Sequence, residues 1–286
     1  MLKGNSKKEF LISTYCCHPS LGNDNLSGMV LWALLLRELK GRELRYSYRF
    51  LIIPETIGAI AYLSKNEESA KKIEGGFVIT SVAGPGKIGY KSSFSGKSLV
   101  DNAILNAFRY MGKKFIKYPF DIQGSDERQF SSNPFRIPMC SITKDKYYEY
   151  KYYHTSLDNL NFIKSKYLVG TLGIYVNAIE NLEKNIVYEP VVKACEPMLG
   201  KRGAYPKIGG SINQNKPKDL ENKKSILDTM KWLLFYCDGT KSLFEISEIT
   251  SIPITELEHA GKKLIEISLL KEKECIKKNV LKVEKK

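Results

Sequence analysis

The chain has 286 residues, of which 43% are hydrophobic and 27% are charged. This composition is typical of a folded globular protein and excludes wholesale disorder and collagen-like repeats. The longest apolar run, residues 29–36, is far shorter than the roughly 20 residues that span a membrane, and the N-terminus lacks the apolar core of an export signal. We therefore expect a cytoplasmic protein without a membrane partner, built from one large domain and one small one.

The net charge of +14 raises the question of nucleic-acid binding. Residues 219–286 contain 13 lysines and 12 acidic residues, so the positive excess lies in residues 1–218, where we interpret it as a lysine-rich surface. The six cysteines include the adjacent Cys16 and Cys17 but no Cys-x-x-Cys pair. This pattern excludes a zinc ribbon or thioredoxin motif and predicts packed thiols.

The first 187 residues alternate between short β-branched runs and longer apolar stretches with helical spacing. Strands are predicted at residues 9–16, 46–53, 76–82 and 138–143, and helices at residues 26–39, 57–65 with a continuation at 70–73, 99–110 and 166–182. The alternation predicts an α/β domain with a mostly parallel sheet flanked by helices. In such sheets, functional residues collect at the C-terminal ends of the strands.

A segment rich in proline and glycine, residues 188–218, is predicted to link this domain (residues 1–187) to a small domain (residues 219–286). The small domain has predicted helices at 225–237, 243–249 and 254–269 and a weak strand at 276–283. This arrangement is typical of a winged helix-turn-helix. Its third helix begins with Glu256 and Glu258, which oppose contact with duplex phosphates. We therefore expect contact with protein rather than with nucleic acid, and an oligomer is compatible with this.

Several titratable residues lie in loops that follow the predicted strands or precede helices. They are His18, Asp24, Glu55, Asp126, Glu127 and His154. Taken singly, Asp24 and Asp158 are explained as helix N-caps, and Asp126–Glu127 as a solvated turn. Histidines beside carboxylates at the ends of strands are equally a pattern of metal sites.

The order of these motifs resembles that of one known family. A strand followed by His18 precedes DNxSG at residue 24, a strand followed by PExxG at residue 54, SDxxxF at residue 125 and YHTxxDNL at residue 153. This order resembles the zinc aminopeptidases and glutaminyl cyclases. It is closest to a bacterial aminopeptidase-like branch (the DUF4910 type) that carries a C-terminal winged helix and is often encoded among surface-polysaccharide genes.

The resemblance covers about residues 9–185 and implies a role for each matching residue. His18 and His154 correspond to histidine ligands of metal ions, and Asp24 corresponds to the aspartate that bridges them. The bond between Asp24 and Asn25 is implied to be cis. Glu55 corresponds to the catalytic carboxylate that takes a proton from the attacking water, and Asp126 to an aspartate near the site.

Two carboxylate ligands of the family have no counterpart here. Thr56 stands where the family has a second glutamate, and residues 78–83 contain no carboxylate. We therefore expect one zinc ion rather than two, held by His18, Asp24 and His154, with Glu127 as a possible substitute ligand. The family also has further strands before its first histidine, so we expect a fragment or a shortened member.

These residues together predict a zinc-dependent hydrolase that cleaves a small peptide or amide, most simply an aminopeptidase, with Glu55 as the general base. Asp126, Arg128 and Tyr152 are predicted to lie beside the substrate. One alternative is a non-catalytic, degenerate peptidase-fold protein with a regulatory or protein-contacting winged helix. Another is amide-forming cyclisation, as in the glutaminyl cyclases.

Overall fold

A computed structural model describes residues 1–204 and 226–273. The chain divides into two units, Met1–Glu183 and Lys184–Lys286. Each unit contains its own strands and helices. Within the described residues, no helix combines the length and the apolar character that crossing a bilayer requires.

The first unit contains six strands and six helices among the described residues. The strands are β1 (Glu9–Cys16), β2 (Ser47–Pro54), β3 (Ile73–Val78), β4 (Ile88–Lys91), β5 (Ile116–Tyr118) and β6 (Met139–Lys144). The helices are α1 (Gly28–Leu39), α2 (Ile57–Lys65), α3 (Glu67–Ala70), α4 (Leu99–Tyr110), α5 (Glu127–Phe130) and α6 (Ser165–Lys184), and a kinked helical turn occupies Gly22–Ser27.

The six strands form one sheet in the order β2-β1-β3-β6-β4-β5. Strands β2, β1, β3 and β6 are mutually parallel, β4 is antiparallel to β6, and β5 is parallel to β4. Seven of the eight residues of β1 are buried, as expected for a central parallel strand covered on both faces. The predicted α/β class with a mostly parallel sheet is confirmed.

Helix α6 packs on the sheet through the fully buried Tyr175. Its hydroxyl accepts the Ile142 backbone N–H of β6 at 2.9 Å, and its ring meets Phe77 of β3 edge to face at 5.6 Å. This side chain therefore ties the closing helix to two central strands. Helix α4 begins at a capping box in which the Ser98 hydroxyl accepts the Asp101 N–H and the Asp101 carboxylate accepts the Ser98 N–H.

The third strand and its neighbours differ from the prediction. Residues 70–73 do not continue a helix, because α3 ends at Ala70 and Ile73 already pairs with Glu9 of β1. Strand β3 ends at Val78, and the chain then leaves the sheet. Three residues later, Ser81 has a positive φ of 51°. Strands β4 and β5 were not predicted, since runs of three or four residues carry too little periodicity.

The described part of the second unit contains β7 (Val187–Pro190), a 3₁₀ turn (Gly200–Arg202), α7 (Ile226–Tyr236), α8 (Leu243–Thr250), α9 (Ile254–Glu266) and β8 (Leu270–Lys273). Strands β7 and β8 pair antiparallel. Helix α8 begins at a capping box formed by Ser242 and Glu245. Three helices and a two-stranded antiparallel sheet, with one strand before the helices and one after them, confirm the winged helix-turn-helix.

The strands of this wing lie outside the predicted positions. Strand β7 occupies the beginning of the segment predicted as a linker, and β8 lies directly after α9. The predicted strand at residues 276–283 lies outside the described residues. Gly261 on α9 packs against the Tyr188 ring of β7 so closely that a Cβ there would lie 2.4 Å from a ring carbon. The absence of a side chain at this position lets the wing contact the third helix.

Candidate functional site

The site begins where parallel strands end. Strand β1 leads into Cys17 and His18, β2 leads into Glu55, and β3 leads into Thr80. Because these strands are parallel neighbours, their C-terminal ends lie at one edge of the sheet. The fold therefore brings residues that are far apart in sequence to one edge, as the sequence predicts.

Asp24 lies in the kinked turn that precedes α1. Its φ and ψ are −115° and 83°, outside the helical region, and the Asp24–Asn25 peptide bond is cis, as the resemblance implies. The Asn25 amide holds the turn to the end of β1 by donating to the Thr14 hydroxyl and the Tyr15 carbonyl, each at 3.0 Å. The predicted N-cap role of Asp24 is wrong, because α1 begins later, with Ser27 at the N-cap position.

Asp158 fixes this turn from a distant part of the chain. Its buried carboxylate accepts the backbone N–H groups of Asn23 at 2.6 Å and Asp24 at 3.1 Å, and the Tyr150 hydroxyl at 2.9 Å. It is not a helix N-cap, since the following helix begins at Ser165. The carboxylate instead holds the backbone that carries Asp24.

His18, Asp24 and His154 lie together. Asp24 is only 2% exposed, and its Oδ2 lies 3.8 Å from His18 Nδ1 and 3.2 Å from His154 Nε2. The two imidazole rings are 4.0 Å apart between centroids. Burial raises the pKa of the Asp24 carboxyl, while a hydrogen bond from Tyr15 at 3.1 Å and the two imidazoles favour its ionised form.

Glu55 lies next to this group and is held by Ser125, whose hydroxyl donates to Glu55 Oε1 at 2.6 Å. Burial raises the pKa of Glu55 above its usual value, the Ser125 hydrogen bond lowers it, and the negative charge of Asp24 raises it further. The side chain is half-buried. Its carboxylate is therefore a weakly solvated base whose orientation is fixed by a neighbouring hydroxyl.

Asp126 lies beneath the segment that carries Glu55. Its Oδ1 accepts the Thr56 backbone N–H at 2.6 Å, and its buried Oδ2 has no hydrogen-bond partner among residues 1–204 and 226–273. Burial raises the pKa of Asp126 to about 7, against the effect of the Thr56 N–H. Thr56 itself has a positive φ of 59°, unusual for a residue with a branched side chain. Asp126 therefore holds the turn that positions Glu55.

Glu127 is engaged elsewhere and does not join the histidines. Its Oε1 lies 2.5 Å from Lys91 Nζ and 3.0 Å from the Tyr147 hydroxyl. Both members of the ion pair are buried, with exposed fractions of 4% for Lys91 and 1% for Glu127. The interpretation of Asp126–Glu127 as a solvated turn is wrong, because both carboxylates are buried. The contact with Lys91 holds Glu127 away from the histidines, although the sequence suggested this residue as a substitute ligand.

Arg128 and Tyr152, which were predicted with Asp126 to lie beside the substrate, do not share one environment. Arg128 is exposed, and its guanidinium lies 3.4 Å from the Ile122 carbonyl. Tyr152 packs edge to face on Phe162 at 5.3 Å. Tyr153 is the tyrosine beside the histidines, with its ring stacked 3.8 Å from that of His154.

Cys17 is a member of the site that the sequence prediction treated only as a packed thiol. Its Sγ lies 2.9 Å from His18 Nδ1. Cys17, His18 and Asp24 each offer one ligand atom, and these three atoms all lie within 4.8 Å of one another. Burial raises the pKa of the thiol to about 12, with the charges of Asp24 and Glu55 adding to the effect. The sequence signal that could have identified Cys17 is its position beside a histidine at the end of a strand.

Sequence comparison assigns both units to known families. Residues 1–185 match a family described as a domain of unknown function, DUF4910, and residues 186–272 match a winged helix-turn-helix family. A protein from Clostridium acetobutylicum, described as a candidate polysaccharide biosynthesis protein with an aminopeptidase-like domain, is 36% identical over 270 residues. That match covers 94% of this chain and 60% of the relative.

Structural comparison agrees with this assignment. The crystal structure of a candidate peptidase from Clostridium acetobutylicum matches with a TM-score of 0.84 and 33% identity, over 95% of this chain and 59% of that chain. The chain spans about 60% of the length of each of these two proteins from Clostridium acetobutylicum. A zinc aminopeptidase from Bacillus subtilis matches with a TM-score of 0.53 and 20% identity, over 62% of this chain and 47% of that chain, which shows a shared fold. The resemblance drawn from the motifs is confirmed.

Proposed function

Because this chain belongs to the DUF4910 family and shares the fold of zinc aminopeptidases, we propose that it is a zinc-dependent hydrolase of small peptides or amides. The ion is held at His18, Asp24 and His154. One observation carries the proposal: the Oδ2 atom of the buried Asp24 carboxylate lies within 4 Å of a nitrogen of each imidazole.

The side chains at this position fit zinc. Imidazole nitrogen and carboxylate oxygen are both ligands that zinc takes in proteins, and a catalytic zinc uses three such ligands with one position open. The imidazoles of His18 and His154 are 39% and 41% exposed, so an ion and a substrate reach them from solvent. Asp158 supplies the supporting hydrogen bonds that metal sites use to orient their ligands.

One ion fits this arrangement better than two. At the end of β3, where the family has an aspartate, the Thr80 hydroxyl lies 2.6 Å from the Tyr15 hydroxyl. Thr56 offers a hydroxyl where the family has a second glutamate. Neutral hydroxyls in place of two carboxylates remove the negative charge that would hold a second dication.

Glu55 is the general base of the proposed reaction. When bound, zinc lowers the pKa of a coordinated water molecule to about 7. Glu55, with its pKa raised by burial, takes the proton from the attacking water and passes it to the leaving amine. Ser125 keeps the carboxylate oriented, and Asp126 fixes the Thr56 backbone beside it.

Replacing Asp158 by asparagine tests the support of this centre. The carboxylate accepts two backbone N–H groups, whereas an amide has a single oxygen and presents its own N–H₂ to one of them. Loss of an outer partner of a metal ligand typically lowers metal affinity by roughly 10–100-fold, and we expect this drop in zinc affinity for Asp158→Asn.

Competition with a chromophoric chelator measures the zinc affinity, and circular dichroism checks the fold. Asp121→Asn is the matched control, since Asp121 is exposed and, as far as the structure describes the chain, accepts a hydrogen bond only from the Gln123 backbone N–H. Its zinc affinity should equal that of the unmodified chain. A zinc affinity of Asp158→Asn equal to that of the unmodified chain would show that Asp158 does not support the zinc site.

Amide hydrolysis by the full chain tests the function itself. We expect turnover of at least one member of an aminoacyl-4-nitroanilide and peptide-amide panel, present with zinc, abolished by a chelator and restored by added zinc. Zinc binding without turnover across the panel would favour the non-catalytic alternative. Release of ammonia from peptides with N-terminal glutamine, without hydrolysis of the other amides, would favour cyclisation.

A further inference from the structure

Cys17 is the one potential metal-binding side chain of the site to which the proposed hydrolysis gives no role. It follows the last residue of β1 and precedes His18. It is half-buried and packs at the border of an apolar cluster that includes Tyr15 and Leu63. Packing alone accounts for its partial burial but does not account for its sulfur lying 2.9 Å from an imidazole nitrogen.

The distances around this sulfur are those of donors that share one ion. Zinc bonds of about 2.3 Å to sulfur and 2.0–2.2 Å to nitrogen and oxygen place the donor atoms of a tetrahedral site roughly 3–4 Å apart. The Cys17 Sγ to His18 Nδ1 distance is 2.9 Å, and the His18 Nδ1 to Asp24 Oδ2 distance is 3.8 Å. Small shifts of two side chains therefore complete a three-donor site.

Among the residues that the structure describes, these three form the group of mutually close donors, and His154 is not part of it. His154 instead meets Asp24 at Oδ2, at 3.2 Å. We infer that Cys17 supplies a thiolate ligand to the ion that His18 and Asp24 hold. This inference rests on the proposed function, because it concerns the same ion.

The thiolate adds a negative charge to that of Asp24, where the family has further carboxylates. The family carboxylates are replaced by Thr56 and by the hydroxyl-bearing end of β3, and a cysteine thiolate is a strong ligand of zinc. As the bond from sulfur to metal forms, the S–H bond breaks and one proton passes to solvent, so uptake of the ion is coupled to pH. Cys17 would thus join His18, Asp24 and His154 as a fourth protein ligand, and the attacking water would bind as a fifth, a coordination number that catalytic zinc reaches.

Cobalt substitution of the full chain tests this inference directly. Cobalt(II) occupies zinc sites, and a cysteine ligand gives it a near-ultraviolet charge-transfer band from sulfur to cobalt. We expect the band in the unmodified chain and in Cys16→Ser, and its loss in Cys17→Ser. Cys16 is the matched control because it is the adjacent cysteine and is exposed.

Zinc affinity gives the second readout. Loss of a direct ligand should cost at least the roughly 10–100-fold that loss of an outer partner costs, so Cys17→Ser should bind zinc that much more weakly, while Cys16→Ser binds as the unmodified chain does. An unchanged affinity together with an unchanged cobalt spectrum in Cys17→Ser would overturn the inference and leave Cys17 as a packing residue.

Alkylation of the unmodified chain needs no variant and applies even if Cys17→Ser does not fold. Zinc should slow the modification of Cys17 by iodoacetamide and leave that of Cys16 unchanged, as measured by peptide mass spectrometry. Stoichiometric zinc binding without this protection and without the cobalt band would overturn the role of Cys17 while the proposed function stands. Failure of the chain to bind zinc or cobalt at all would overturn both.

Discussion

Replacing Glu55 by glutamine is expected to lower the rate of amide hydrolysis by roughly 10²–10⁴-fold, which is the usual contribution of a positioned general base. Glutamine keeps the size of the side chain and its hydrogen bond from Ser125, but it cannot accept a proton at neutral pH. The fall should appear in kcat, since the proton moves in the chemical step. Zinc content should stay unchanged, because Glu55 is not among the proposed ligands.

The control for this variant is Glu68→Gln, at a side chain that is 85% exposed on the short helix α3. It changes the same charge in the same unit and should leave kcat unaltered. Turnover of Glu55→Gln equal to that of the unmodified chain would show that another group takes the proton. A loss of zinc in Glu55→Gln would show that this carboxylate is a ligand.

Replacing Lys91 by methionine is expected to destabilise the first unit by about 3–5 kcal/mol, the cost of leaving the partner of a buried ion pair uncompensated. Lys91 and Glu127 are almost wholly buried, and the Glu127 Oε2 atom finds no hydrogen-bond partner in the described part of the chain, even in the intact pair. Without Lys91, the Glu127 carboxylate keeps only the Tyr147 hydroxyl at 3.0 Å. Urea unfolding followed by circular dichroism measures the change.

Two comparisons separate lost charge compensation from lost packing. The double variant Lys91→Met, Glu127→Leu removes both charges and should recover most of the stability, since apolar replacements of a buried pair are often neutral. Lys71→Met breaks exposed ion pairs with Glu67 and Glu68 and should leave the free energy of unfolding nearly unchanged, because exposed ion pairs contribute little to stability. A double variant as unstable as Lys91→Met would mean that side-chain volume, rather than charge, decides the effect.

The central part of the fold is predictable from the sequence because its strands are long and apolar. β1 has the predicted bounds, and β2 and β6 lie within a residue of theirs. β1 and β6 are buried along almost their whole length, and β2 is a long, mostly apolar run at the edge of the sheet. The short strands β4 and β5 gain their order from pairing with neighbours that are distant in sequence. Such pairing leaves no local signal.

The grouping of the histidines and carboxylates of the candidate site was predictable because these uncommon residues lie in loops beside the predicted strands. His18, Asp24 and His154 lie together, and Glu55 is beside them. The burial of Glu127 and its capture by Lys91 depend on a contact between residues 36 positions apart. Spacing along the chain does not contain this information.

The roles of the surrounding residues were harder to predict, because they depend on three-dimensional contacts. Asp158 reads as a helix cap in the sequence but accepts the backbone N–H groups of Asn23 and Asp24. Cys17 reads as a small apolar residue, and its distance to His18, which depends on the folded structure, is what indicates a role beyond that of the buried thiols of Cys140 and Cys237.

The metal content of the purified full chain is the decisive measurement for the proposed zinc site. After dialysis against zinc-containing and then zinc-free buffer, mass spectrometry of the digested protein should find about one zinc ion per chain, as three ligands around one open site require. Asp24→Asn, treated in the same way, should retain far less. Zinc at the level of the buffer blank in the unmodified, folded chain would show that the chain has no such zinc site.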